Sequence, residues 1–102
     1  MELNSIVILS LHDPKEKIWG QLIALNNGGV TLRGIDINSF DDFIRQVLNP
    51  EGTPVGLATI FYPMHRVERI ALDESKGEIP SLSETFRMKI GITILEYLAG
   101  LG

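Results

Sequence analysis

The chain contains no cysteine. That removes disulfides, thiolate nucleophiles and the common structural zinc sites at once. It has no apolar run near the roughly 20 residues of a membrane-spanning helix. Its first residues, Met1-Glu2-Leu3-Asn4, lack the basic start of a signal peptide. A cytoplasmic location is the resulting expectation. Basic residues are also few, 9 Lys and Arg against 13 Asp and Glu, for a net charge of −4. Bulk attraction to phosphate backbones is therefore not a property of the single chain. What is present is a 102-residue sequence that is 44% hydrophobic. This is the size and composition of one globular domain, residues 1–102, and too apolar for intrinsic disorder.

The first apolar run, Ile6-Val7-Ile8-Leu9-Ser10-Leu11, is short and β-branched, and predicts a strand buried on most of both faces. His12-Asp13-Pro14 ends it. Residues 17–26 predict a second strand, with Ile18, Gly20, Leu22 and Ala24 alternating with Lys17, Trp19, Gln21 and Ile23. Asn26-Asn27-Gly28-Gly29 predicts a tight hairpin through residues that accept positive φ, leading to a third strand over 30–36. The period then changes. Phe40, Phe43, Ile44, Val47 and Leu48 form one helical stripe, predicting a helix over 39–48 that Asn49-Pro50 stops. Residues 49–56 predict a loop. Strands follow at 57–62 and 67–72, joined through a corner at Pro63-Met64-His65-Arg66. Two capping boxes, Ser81 with Glu84 and Thr93 with Glu96, open helices within 81–100. The apolar residues there, Leu82, Phe86, Ile90, Ile94, Leu95 and Leu98, are expected to cover one end of the barrel or a neighbouring subunit.

Five short strands with Gly20 and Gly34 inside strand patterns predict a mainly β fold, a strongly bent five-stranded small barrel with an inserted helix and C-terminal helices. The plainer alternative is an open antiparallel sheet covered by the helices. Over residues 5–73 the chain resembles the Sm-like (LSm) family of small SH3-like, RNA-binding barrels. The resemblance rests on the apolar first strand, the spacing Gly20-x-Leu22-x-x-Leu25-Asn26, and the late strand pair joined by a very short corner between Ile60 and Ile70. It implies a homo-oligomer whose last two strands make subunit contacts, through Leu57, Thr59, Ile60, Phe61, Tyr62, Val67 and Ile70. It also implies a single-stranded RNA pocket to which the corner contributes. The chain departs from the family in three places. Only about five residues precede the first strand, Gly29 and Val30 stand where a further asparagine is expected, and Tyr62 to Arg66 replace the basic corner signature.

The candidate nucleic-acid residues are Asn26, Asn27, Arg33, Met64, His65, Arg66 and Arg69. Histidine stacks on or hydrogen-bonds a base, amides read base edges, and arginine forks onto phosphate. Plainer readings stand beside them. The asparagines serve the turn, Arg33 lies on a solvated strand face, and Arg66 and Arg69 pair with Glu68, Asp73 or Glu74. No metal-binding spacing, nucleophile elbow or phosphate loop is present in the sequence, so neither catalysis nor a cofactor is expected. A second reading is an oligomeric interaction module for a protein or small ligand. One feature independently argues for self-association: 57–62 is uncharged, and a free edge of that kind invites pairing.

Overall fold

The computed structural model describes residues 1–51 and 56–100. Five strands, β1 (Ile6–Leu11), β2 (Glu16–Asn26), β3 (Gly29–Asp36), β4 (Ala58–Pro63) and β5 (Val67–Leu72), form one antiparallel sheet in the order β4-β3-β2-β1-β5. Helix α1 (Phe40–Leu48) lies between β3 and β4, and α2 (Leu82–Ile90) and α3 (Ile94–Gly100) follow β5. Single 3₁₀ turns occupy Ile37–Ser39 and Met64–Arg66. Residues 52–55 of the loop expected at 49–56 lie outside the described residues.

The sheet is strongly curled. The 11 residues of β2 would span roughly 36 Å if straight, at about 3.3 Å per residue. Yet the turns at its two ends are held by one three-residue corner. Met64 N donates to Gly28 O at 3.0 Å, and His12 N donates to Arg66 O at 3.0 Å. The bend centres on Gly20, which pairs with Gly34. A Cβ on Gly34 would lie 2.2 Å from Trp19 O, and one on Gly20 would lie 2.6 Å from Arg33 O. Only glycine lets the two backbones approach so closely, as the sequence reading required. A register shift between Leu22 and Ala24 leaves Ile23 as an extra residue and adds to the curl.

The curl stops short of a barrel. Among the described residues no ladder joins β4 to β5. The corner between them is a 3₁₀ turn that delivers one strand to β3 and the other to β1, so each keeps one open edge. The fold is thus mainly β, a rolled but open five-stranded antiparallel sheet: the alternative the sequence allowed, not the closed barrel.

Both faces of the sheet are buried. The inside of the curl holds Val7, Leu9, Leu11, Ile18, Leu22, Val30, Leu32 and Tyr62. The other face packs Trp19 and Ile35 against Phe40, Phe43 and Ile44 of α1, Phe86 of α2, and Ile94 and Leu98 of α3. The C-terminal helices therefore cover a face of the sheet, not an end of a barrel, and Leu95 stays exposed. Trp19 meets Phe40 edge to face at a centroid distance of 5.1 Å, and Phe43 stacks on Phe86 at 5.8 Å. One carboxylate ties this layer together. Asp73 accepts from Trp19 Nε1 at 2.9 Å and from the first amides of α2, Leu82 N at 3.1 Å and Ser83 N at 2.7 Å. Those amides have no partner within the helix, and the negative charge suits its positive end.

Candidate functional site

The 64–66 corner, together with the turns it touches, holds most of the candidate residues. Asn26 and Asn27 lie at the β2–β3 turn, directly beside Met64 through the Met64–Gly28 hydrogen bond. Of the turn residues expected to use positive φ, Gly29 does, at 158°, while Asn27 and Gly28 do not. Instead Asn26 Oδ1 accepts from Gly28 N at 2.8 Å, so its carboxamide substitutes for a backbone turn. Gly29 begins β3 under the β4 backbone, where a Cβ would lie 2.3 Å from Tyr62 O. Asn27, Met64 and His65 are exposed.

Arg66 points the other way. Its side chain, 22% exposed, reaches across the corner to the β1–β2 turn. The guanidinium donates to Pro14 O at 2.9 Å and to His12 O and Glu16 Oε2 at 3.4 Å. The ion partner is Glu16, not Glu68, Asp73 or Glu74 as the sequence suggested, because the curl brings the start of β2 over the corner. Tyr62 is buried beside this pair. Burial, then the charges of Glu16 and Asp36, push its phenol above the ordinary value of 10.0, while Arg66 pulls the other way.

The two remaining arginines stand apart from the corner. Arg33 lies mid-strand between Gln21 on β2 and Thr59 on β4. Four residues separate it from the Gly29 end of β3, roughly 13 Å along the strand. Arg69 sits on β5 opposite Ser10, in a cleft formed with Lys15, Lys17, Asp36 and Asn38. Sequence reasoning missed this cleft and also the roles of Glu16 and Asp73. The one available signal for the cleft was Ser10, a lone polar residue in an otherwise apolar strand.

Of the residues expected at subunit contacts, Tyr62 is in the inner core and Val67 and Ile70 pack against it. Leu57 packs against the helical layer. Thr59, Ile60 and Phe61 remain exposed, Ile60 by 45% and Phe61 by 53%. Because successive residues of a strand point to opposite faces, β4 presents apolar side chains on both sides of its free edge.

No protein-family model, curated protein or solved structure matches the chain. Among the described residues, no group of three or more His, Asp or Glu is placed to hold a metal ion. No helix among them is long and apolar enough to cross a membrane.

Proposed function

We propose that the chain is a non-catalytic self-assembly module of the Sm-like kind, in which the open β4 edge of one copy pairs with the open β5 edge of the next. The observation that carries this reading is the character of β4: an edge strand without a charged residue, exposing Ile60 and Phe61 on opposite faces. An unprotected edge of this type is a template for another strand. The β5 edge offers a partner surface with Leu72 exposed. Pairing between copies would close intermolecularly the sheet that the single chain leaves open. Light scattering at micromolar concentration tests it. The expected mass is a multiple of 11.3 kDa, reduced to the monomer by Phe61→Asp combined with Ile60→Lys. A monomeric native chain would overturn the reading.

A second reading, binding of single-stranded RNA by the assembly, is favoured by one observation. The corner and the β2–β3 turn are in contact, placing Asn27, Met64 and His65 together on the surface. Repeated around an oligomer, these groups would offer stacking and base-edge contacts. Against it stand the net charge of −4 and the engagement of Arg66 within its own chain. Titration with short oligonucleotides at two salt concentrations decides. RNA binding requires affinity that falls with salt and weakens on His65→Ala. Absence of binding at low salt leaves the module to proteins or small ligands.

A further inference from the structure

Ser10 is the only polar residue buried among the described residues, at 6% exposure. Its hydroxyl has no hydrogen-bond partner within the protein among those residues. No fully enclosed side-chain oxygen or nitrogen is left unpaired there, so this hydroxyl opens onto the cleft it lines. The alternation along β1 explains its placement. Val7, Leu9 and Leu11 point into the curl, so Ser10 shares the opposite face with Ile6 and Ile8, beyond the helices' cover.

Its cross-strand neighbours on that face are both cations, Lys17 on β2 and Arg69 on β5. Directly opposed residues hold their Cβ atoms about 5 Å apart, so the two charges flank the hydroxyl. Between Ser10 and Leu11 the β1–β5 register shifts, and Glu68 is the extra residue. The bulge turns Glu68 and Arg69, consecutive in sequence, into the same cleft. Lys15 and the Asp36–Asn38 segment complete the wall around a volume of about 380 Å³, within the range of small-ligand sites.

Three of the chain's nine cations gather in this cleft with three carboxylates. Among the described residues no ion pair involves Lys15, Lys17 or Arg69. Two of the three carboxylates that line the cleft are already engaged. Glu16 pairs with Arg66, and Asp36 accepts from Asn38 N at 2.8 Å. With Glu16 offset by Arg66, the cations Lys15, Lys17 and Arg69 and the Ser10 hydroxyl face two uncompensated carboxylates, Asp36 and Glu68. A singly charged carboxylate ligand would need only one of those cations. A dianionic phosphate uses the arginine fork, a lysine and the hydroxyl on separate oxygens.

We infer that this cleft binds the phosphate of a small phosphorylated molecule. Arg69 and Lys17 grip the phosphate across Ser10 Oγ, and Glu68 accepts from a hydroxyl on the rest of the ligand. All of these groups come from one chain, so the site does not depend on the proposed assembly.

The test is an amide-resolved NMR titration of the full chain with ribose 5-phosphate, inorganic phosphate, ribose and acetate. Saturable shifts centred on Ser10, Lys17, Asn38 and Arg69 are expected with both phosphates, tighter with ribose 5-phosphate. Arg69→Gln should weaken binding roughly tenfold or more, the loss expected of a charge-assisted hydrogen bond. Ser10→Ala should weaken it severalfold, and Arg87→Gln on α2 should change nothing. Unsaturated shifts spread over the surface, equal shifts with acetate or ribose, or indifference to Arg69→Gln would each overturn the assignment.

Discussion

Replacing Arg66 with alanine separates a structural arginine from a ligand-binding one. Its guanidinium holds the β4–β5 corner to the β1–β2 turn through Pro14 O at 2.9 Å, with longer contacts of 3.4 Å to His12 O and Glu16. A hydrogen bond from a charged donor contributes about 1.5–3 kcal/mol when well formed. The Glu16 contact counts for little, because its carboxylate side chain is 38% exposed. Taking the Pro14 bond nearly in full and the long ones at a fraction gives a cost of about 2 kcal/mol. In a domain of this size that lowers Tm by roughly 8–16 °C. Urea denaturation followed by Trp19 fluorescence and far-ultraviolet circular dichroism measures it. Arg66→Lys should recover less than half, since one ammonium cannot span the separate acceptors that the fork reaches. A loss below about 0.5 kcal/mol, the ordinary range for surface substitutions, would refute the structural role. The corner would then be held by its backbone bonds alone, and Arg66 would return to the candidate ligand residues.

The case of Arg66 marks where sequence stops being informative. Local rules carried far. The β-branched run at Ile6–Leu11, the stripe Phe40-Phe43-Ile44 and the glycines at 20 and 34 each act through neighbours a few residues away or one strand across. Their consequences follow from spacing. Thr93 and Glu96 form the full reciprocal capping box, with both bonds at 3.1 Å. Even here competition intervened. Glu84 leaves its half of the Ser81 box to pair with Arg87, which holds its carboxyl below the usual range. Leu48 belongs to the α1 stripe by period but is 61% exposed, because the helix outruns the surface it packs on. The partners of Arg66, and Trp19 as a partner of Asp73, lie some fifty residues away in sequence. Residue type states that a guanidinium or carboxylate needs partners; only the curl of the sheet decides which ones. The bulge at Glu68 is likewise set by how β5 meets β1, and nothing in Val67-Glu68-Arg69-Ile70 announces it. That is why the corner was found as a cluster while the Ser10 cleft was not.

Asp73→Ala should be the more damaging substitution. It removes the acceptor of Trp19 Nε1, of two α2 amides and of Ser83 Oγ. It strands an indole N–H in the core, at a cost of about 3 kcal/mol. Loss of helicity and a changed Trp19 emission would report it, with Asp73→Asn between the two; unchanged stability would show that the layer does not depend on this carboxylate. Tyr62 supplies a pH dependence. Burial first, then Glu16 and Asp36, raise its phenol above the ordinary 10.0 in the folded chain. The folded state therefore holds this proton at a pH where the unfolded state releases it. Stability from the neutral phenol is complete below the unfolded value and is lost as pH rises through the folded one. Thermal melts from neutral pH upward should thus fall more steeply above about pH 10 in the native chain than in Tyr62→Phe. Parallel curves would contradict the shift. Since Arg66 opposes it, Arg66→Ala should move the phenol higher still. The alkaline limb then becomes a second, independent reading of whether the guanidinium sits beside the Tyr62–Glu16 pair in solution.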